Sequence, residues 1–114
     1  MHVAANSTAS RERAVAGGAA SFRERVEDLP AVNGAVVAAP IVWHAAIIRH
    51  LMPLDIPIFV EKPMTPDAKE ARQLAADLSG RLFVMDKWRY HPGIEALRDI
   101  AQSGEMEPVI GLST

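Results

Sequence analysis

The chain has 114 residues, a formal net charge of −2 and no cysteine. That length builds one small domain with a modest core, and a charge so near neutral gives no case for nucleic acid or an anionic membrane surface as a partner. Without thiols there is no disulfide framework or thiolate metal site, and an intracellular, cytoplasmic setting is the natural expectation. The longest apolar stretch, Gly34 to Val42, is broken by Pro40 and is too short to span a bilayer. Met1-His2-Val3-Ala4-Ala5 has neither the basic leader nor the long apolar core of a signal peptide, so the Asn6-Ser7-Thr8 glycosylation sequon carries no meaning here.

In chain order, strands and helices alternate. Met1 to Ala5 is a short apolar run, expected as a strand. Thr8 is expected to cap a helix over about Ala9 to Ala16, stopped by Gly17-Gly18. Ala19 to Glu24 reads as a brief extended piece and Val26 to Leu29 as a helical turn before Pro30. Ala35 to Ala39 is nearly continuous in apolar residues, the pattern of a strand covered on both faces. A helix from Ile41 to Met52 follows, with Ile41, Ala45, Ile48 and Met52 on one face and Pro53 as its end.

Ile58-Phe59-Val60 is the next strand. Thr65 is expected as an N-cap with Pro66 at the first helical position, Ala68, Ala71, Leu74, Ala75 and Leu78 as the buried stripe, and Gly80 as the C-terminal cap. Arg81 to Met85 reads as a strand. Pro92 opens a helix with Ile94, Leu97 and Ala101 inward, closed by Gly104. Pro108 to Leu112 reads as the start of one more strand. Strands separated by helices imply βαβ units and a parallel sheet.

The most telling residues follow the Ile58-Phe59-Val60 run: Glu61-Lys62-Pro63. An isolated lysine usually sits in solvent. Here Pro63 forbids regular strand pairing and biases Lys62 toward extended backbone, which places a cation at the carboxyl end of a sheet strand. Open α/β sheets bind ligands at that end, and an ammonium there can donate a proton, polarise a carbonyl or anchor a phosphate.

Three segments in fixed order carry a resemblance: Val36-Val37-Ala38-Ala39-Pro40 with His44 downstream, Phe59-Val60-Glu61-Lys62-Pro63, and Lys87-Trp88-Arg89-Tyr90-His91-Pro92. Together they resemble the nucleotide-binding domain of the Gfo/Idh/MocA oxidoreductases, from about Val3 to the end of the chain. The resemblance implies a Rossmann-like, doubly wound, mostly parallel sheet with helices on both faces. It implies a partial dinucleotide-binding domain over 1–106 and the start of a second, substrate and oligomerisation domain over 107–114.

It further implies hydride transfer between NAD or NADP and a hydroxyl or carbonyl of a sugar, cyclitol or similar polyol. Lys62 would be the catalytic residue near the nicotinamide and the reacting oxygen. Glu61, Ala39, Pro40, His44, Asn6, Ser7 and Arg89 would lie on the cofactor side, and Lys87 and Tyr90 would join Lys62 on the substrate side. Other readings stand beside these. His44 also suits a hydrogen-bonding role at a helix start, Trp88 and Tyr90 suit core or interface aromatics, and Glu61 suits a surface ion pair. Lys87 stands where the family often has an amide; it favours an anionic substrate or points to solvent.

The departures matter equally. No Gly-x-Gly-x-x-Gly turn occurs, although that turn normally lets the backbone approach the cofactor pyrophosphate. The expectation is a chain truncated at its N-terminus, beginning at the family's second strand and inactive alone. Asn6 stands where the family has a ribose-binding acid, so NADP fits at least as well as NAD; Arg11 and Arg13 would assist or lie in solvent. Loss of a central strand leaves two open edges. Either the flanking strands close up, another chain fills the gap, or stability is marginal. A non-catalytic module pairing through such an edge is therefore a competing reading. A response-regulator-like domain is a third, for which Asp86 alone supplies the acid.

Overall fold

The structure, a computed structural model, describes residues 1–104. The strand expected at 108–112 and the boundary expected at 106/107 lie outside the described residues. Contacts divide the chain into two compact units, Met1–Val84 and a second starting at Met85.

The first unit contains β1 (His2–Ala4), α1 (Thr8–Ala16), β2 (Ser21–Arg23), β3 (Ala35–Val37), α2 (His44–Leu51), β4 (Ile58–Glu61) and α3 (Ala68–Asp77), and it leads into β5 (Leu82–Met85). A 3-10 turn at Val26–Asp28 precedes β3. The alternation of strand and helix follows the sequence pattern. Strands β1 and β2 pair in parallel with His2 opposite Ser21, and β3 and β4 pair in parallel with Val37 opposite Val60. The strands form two sheets, β1-β2 and β3-β4-β5. These orders match positions 3-2 and 4-5-6 of the doubly wound arrangement 3-2-1-4-5-6. Closure of β1 on β3, one of the outcomes expected above, is not seen: among the described residues no ladder joins them.

The main core lies between α2, α3 and one face of the larger sheet. Val37, Ile58 and Val60 meet Ala45, Ile48 and Leu51 from α2 and Leu74 and Leu78 from α3. Each fully buried aliphatic side chain contributes about 1.5–3 kcal/mol of transfer free energy. The opposite sheet face carries exposed apolar side chains. Val36 is 65% exposed, and Phe59 stacks on Phe83 with ring centroids 5.0 Å apart while both remain exposed. The strand at Ala35–Val37 is thus covered on one face, where both were expected, because α2 and α3 pack on the side of Val37.

Several local expectations need correction. Ser7, not Thr8, caps α1; its hydroxyl accepts from the Ser10 N–H at 3.1 Å. The single helix expected over Ile41 to Met52 is α2 flanked by 3-10 turns at Ile41–Trp43 and Met52–Leu54. Pro53 offers no N–H, so the helix tightens and ends before it. The buried face is His44, Ala45, Ile48 and Leu51, while Ile41 and Met52 are half-buried. Asp67 caps α3 in place of Thr65, accepting from the Glu70 N–H at 2.7 Å. The Thr65 hydroxyl instead donates to the Asp67 carbonyl at 2.6 Å. Only Leu74 and Leu78 of the expected stripe are buried, with Ala71 half-buried and Ala68 and Ala75 exposed. Leu78 is the C-cap of α3, and Gly80, expected there, lies beyond it with φ 80°.

In the second unit, α4 (Pro92–Gln102) starts where Pro92 predicts, with the His91 ring accepting from the Gly93 N–H at 3.1 Å. Gly104, at φ 76°, follows its end in the left-handed conformation that suits a helix stop. Ile94, Leu97 and Ala101, expected inward, are exposed. Helical spacing puts these residues near one another, but spacing alone does not bury them.

Candidate functional site

Strand β4 sets the site. Its alternation puts Ile58 and Val60 into the core, Phe59 outward, and Glu61 half-buried at the strand end. Because β3 runs parallel and in register beside it, both chains leave the sheet at the same rim. Ala39-Pro40 follows β3 there, and Lys62-Pro63 follows β4, with a cis peptide between Lys62 and Pro63. The Glu61 carboxylate turns back to accept from the Lys62 backbone N–H at 3.1 Å. The Lys62 side chain is exposed. Its side chain is open to solvent, while its backbone is held by its neighbour.

His44 ties the two exits together. It is the first residue of α2 and only 2% exposed. Its Nε2 lies 2.7 Å from the Ala39 carbonyl oxygen, and its Nδ1 lies 3.1 Å and 3.2 Å from those of Pro63 and Met64. Beyond Met64, the Thr65 bond to Asp67 and the Asp67 cap anchor the loop to α3. The Lys62 loop is thus fixed to β3 on one side and α3 on the other. A cation on a fixed loop can orient an oxygen and share a proton with it without first ordering its support.

The remaining expected residues lie elsewhere. Asn6 and Ser7 follow β1, at the carboxyl end of a strand in the smaller sheet, and both are exposed. The Ser7 hydroxyl is engaged in its cap and donates to the Ser10 Oγ at 2.8 Å. Arg11 and Arg13 are exposed on α1. Lys87, Arg89 and Tyr90 belong to the second unit. There Asp86 Oδ1 accepts from the Trp88 N–H at 3.1 Å, and Lys87 Nζ stands 5.4 Å from the centre of the Trp88 ring. Trp88 and Tyr90 are 55% and 73% exposed, so neither is a core aromatic among the described residues.

Sequence reasoning found the rim residues Ala39, Pro40, His44, Glu61 and Lys62 but missed the parts that fix them. The carbonyls of Pro63 and Met64 carry no side-chain signal. Asp67 did have one: Asp67-Ala68-Lys69-Glu70 is the spacing of a capping box.

Parallel strands with a proline turn and a lysine on their shared exit rim define an α/β domain of the dinucleotide-binding class. The chain belongs to the Gfo/Idh/MocA family, described as "Oxidoreductase family, NAD-binding Rossmann fold", which matches residues 2–84.

Solved structures share the fold. GenD2 from gentamicin A biosynthesis, in complex with NAD, is 24% identical with a TM-score of 0.79, covering 90% of this chain and 31% of its own. A 3-ketoreductase from Actinomadura kijaniata, in complex with TDP-benzene and NADP, is 21% identical with a TM-score of 0.74, covering 96% and 35%. UDP-N-acetylglucosamine 3-dehydrogenase from Acidithiobacillus ferrooxidans is 27% identical with a TM-score of 0.71, covering 83% and 32%. The chain thus spans about a third of the length of the solved chains it matches. No curated protein matches it. No helix among the described residues is long and apolar enough to cross a membrane.

Proposed function

We propose that this chain is the nucleotide-binding part of an NAD(P)-dependent oxidoreductase acting on a hydroxyl or carbonyl of a sugar, cyclitol or similar polyol. The observation that carries this reading is the shared rim: Lys62 and the Ala39-Pro40 turn leave adjacent parallel strands side by side, tied by His44. The rim suits the nicotinamide side of a dinucleotide, since the Ala39-Pro40 turn is apolar and the exposed Lys62 follows the neighbouring strand. The neighbours' names, a 3-ketoreductase and a sugar-nucleotide 3-dehydrogenase, support the substrate class.

When bound, the dinucleotide supplies hydride transfer to or from the substrate carbon. Lys62 holds the reacting oxygen by a charge-assisted hydrogen bond and assists proton movement at that oxygen. Glu61 fixes the Lys62 backbone and offers its free carboxylate oxygen to the cofactor. His44 acts on the cofactor side by holding the Ala39-Pro40 turn. Asn6 and Ser7 serve the adenosine ribose, where the absence of a carboxylate admits NADP as well as NAD. Arg89 completes the cofactor set, and Lys87 and Tyr90 serve the substrate. The cytoplasm is the proposed location, from a thiol-free composition.

The 114 residues hold no Gly-x-Gly-x-x-Gly turn, so this chain alone binds dinucleotide weakly and turns nothing over. Backbone-resolved NMR with millimolar NAD and NADP tests this. Shifts are expected at Asn6, Ala39, Glu61 and Lys62 without saturation, and Lys62→Ala should abolish those at the rim while the core signals stay. No response at Ala39 or Lys62 to either dinucleotide would reject the reading; saturation at micromolar concentration would reject the weak binding.

The open edges of β1 and β3 favour a second reading, self-association by strand pairing. Sedimentation over a range of concentrations separates the two: a strict monomer that responds to dinucleotide excludes it.

A further inference from the structure

We propose that His44 is a doubly protonated clamp, donating from both ring nitrogens, and that this clamp sets the Lys62 loop against the Ala39-Pro40 turn. Its meaning for catalysis rests on the role proposed above for Lys62; its chemistry does not. The argument starts from three oxygens. Nε2 faces the Ala39 carbonyl at 2.7 Å, and Nδ1 faces the Pro63 and Met64 carbonyls at 3.1 Å and 3.2 Å. Carbonyl oxygens only accept, and a neutral imidazole has one N–H. A neutral ring therefore points a lone pair at a carbonyl oxygen on one side, whichever tautomer it takes. The imidazolium has a donor for each side, with the Nδ1 proton shared between Pro63 and Met64.

Two effects oppose the charge. His44 is buried, and it stands at the positive end of α2. Three carbonyl dipoles aimed at the ring oppose those effects. The segments that touch it contribute Ala39, Pro63 and Met64, none of which titrates. The flanking charges are Glu61 and Lys62 at the end of β4; Asp67 and Glu70 from α3, engaged with the Glu70 N–H and with Arg49; and Arg49 and His50 on α2 itself. The clamp makes His44 a positioning residue. It holds the carbonyls on either side of Lys62's exit and leaves the ammonium free for a substrate.

Imidazole-nitrogen NMR on the unmodified, ligand-free chain tests the proposal directly. At pH 6 both His44 nitrogens should carry protons and give similar pyrrole-like signals. His44→Gln, which keeps one donor, should raise exchange at the Lys62 and Met64 amides about tenfold, the scale of one lost hydrogen bond. The Ile58 amide should stay protected. One pyridine-like nitrogen at pH 6, or Lys62 and Met64 amides whose exchange is unchanged in His44→Gln, would overturn the clamp. Because the ring is read without dinucleotide, that failure is distinct from a failure of Lys62 to meet a cofactor.

Discussion

Ile48→Ala tests the packing that holds the rim in place. Ile48 is fully buried on α2, one turn beyond His44 on the same face, in the cluster with Val37, Ile58 and Leu74. The substitution removes two methyls and a methylene. At about 0.8 kcal/mol per group the transfer loss alone is roughly 2.4 kcal/mol. The cavity lies between two helices and a sheet and closes only in part, which raises the cost toward ~4 kcal/mol. Native-state hydrogen exchange at the Ile58 amide reads this, because that N–H donates to the Arg81 carbonyl at 2.7 Å on the same sheet. Exchange should accelerate by roughly fifty- to a thousand-fold if opening of the core limits it. An acceleration under about fivefold, a loss below ~1 kcal/mol, would refute the placement of Ile48 at the centre of this core.

Two further outcomes follow from the helix ends and the charges. Asp67→Ala should cost about 1 kcal/mol by removing the cap of α3, read by urea denaturation, and Asp67→Asn should recover most of it. Equal losses from both would place the contribution elsewhere. The backbone hydrogen bond at Glu27 holds its carboxyl below the ordinary carboxylate range against an opposing desolvation, with smaller help from Arg25 and His50. A depressed folded-state value stabilises above the ordinary range, and that contribution is lost as pH falls through the depressed value. Glu27→Gln should therefore flatten the acid limb of the stability curve; a steeper limb would contradict it.

The order of strands and helices was legible because each apolar run is bounded by proline, glycine or a polar cap. Lys62 was legible for the same reason: Val60 is the last core residue and Pro63 ends the pairing. What failed were choices between neighbours of similar chemistry. Ser7 and Thr8, or Thr65 and Asp67, can each cap a helix, and the winner depends on which oxygen reaches an amide three residues on. Burial in α4 was misjudged because periodicity names a face without naming its cover. Val36 was misjudged similarly, since an apolar run does not reveal that the helices pack on one side. His44 was seen as a candidate, but its partners are carbonyls brought in by the β4–α3 connection, which no side-chain pattern encodes.

The division into two sheets also sets an order of loosening. The β1–α1–β2 segment has Ala14 as its one buried apolar side chain, whereas the β3–α2–β4–α3 segment owns the main cluster. Warming should therefore release the first βαβ turn while the second still stands, giving a melt in stages. The lysine-bearing exit would outlast the asparagine-bearing one, so the end proposed to meet the reacting oxygen is also the last to lose its shape.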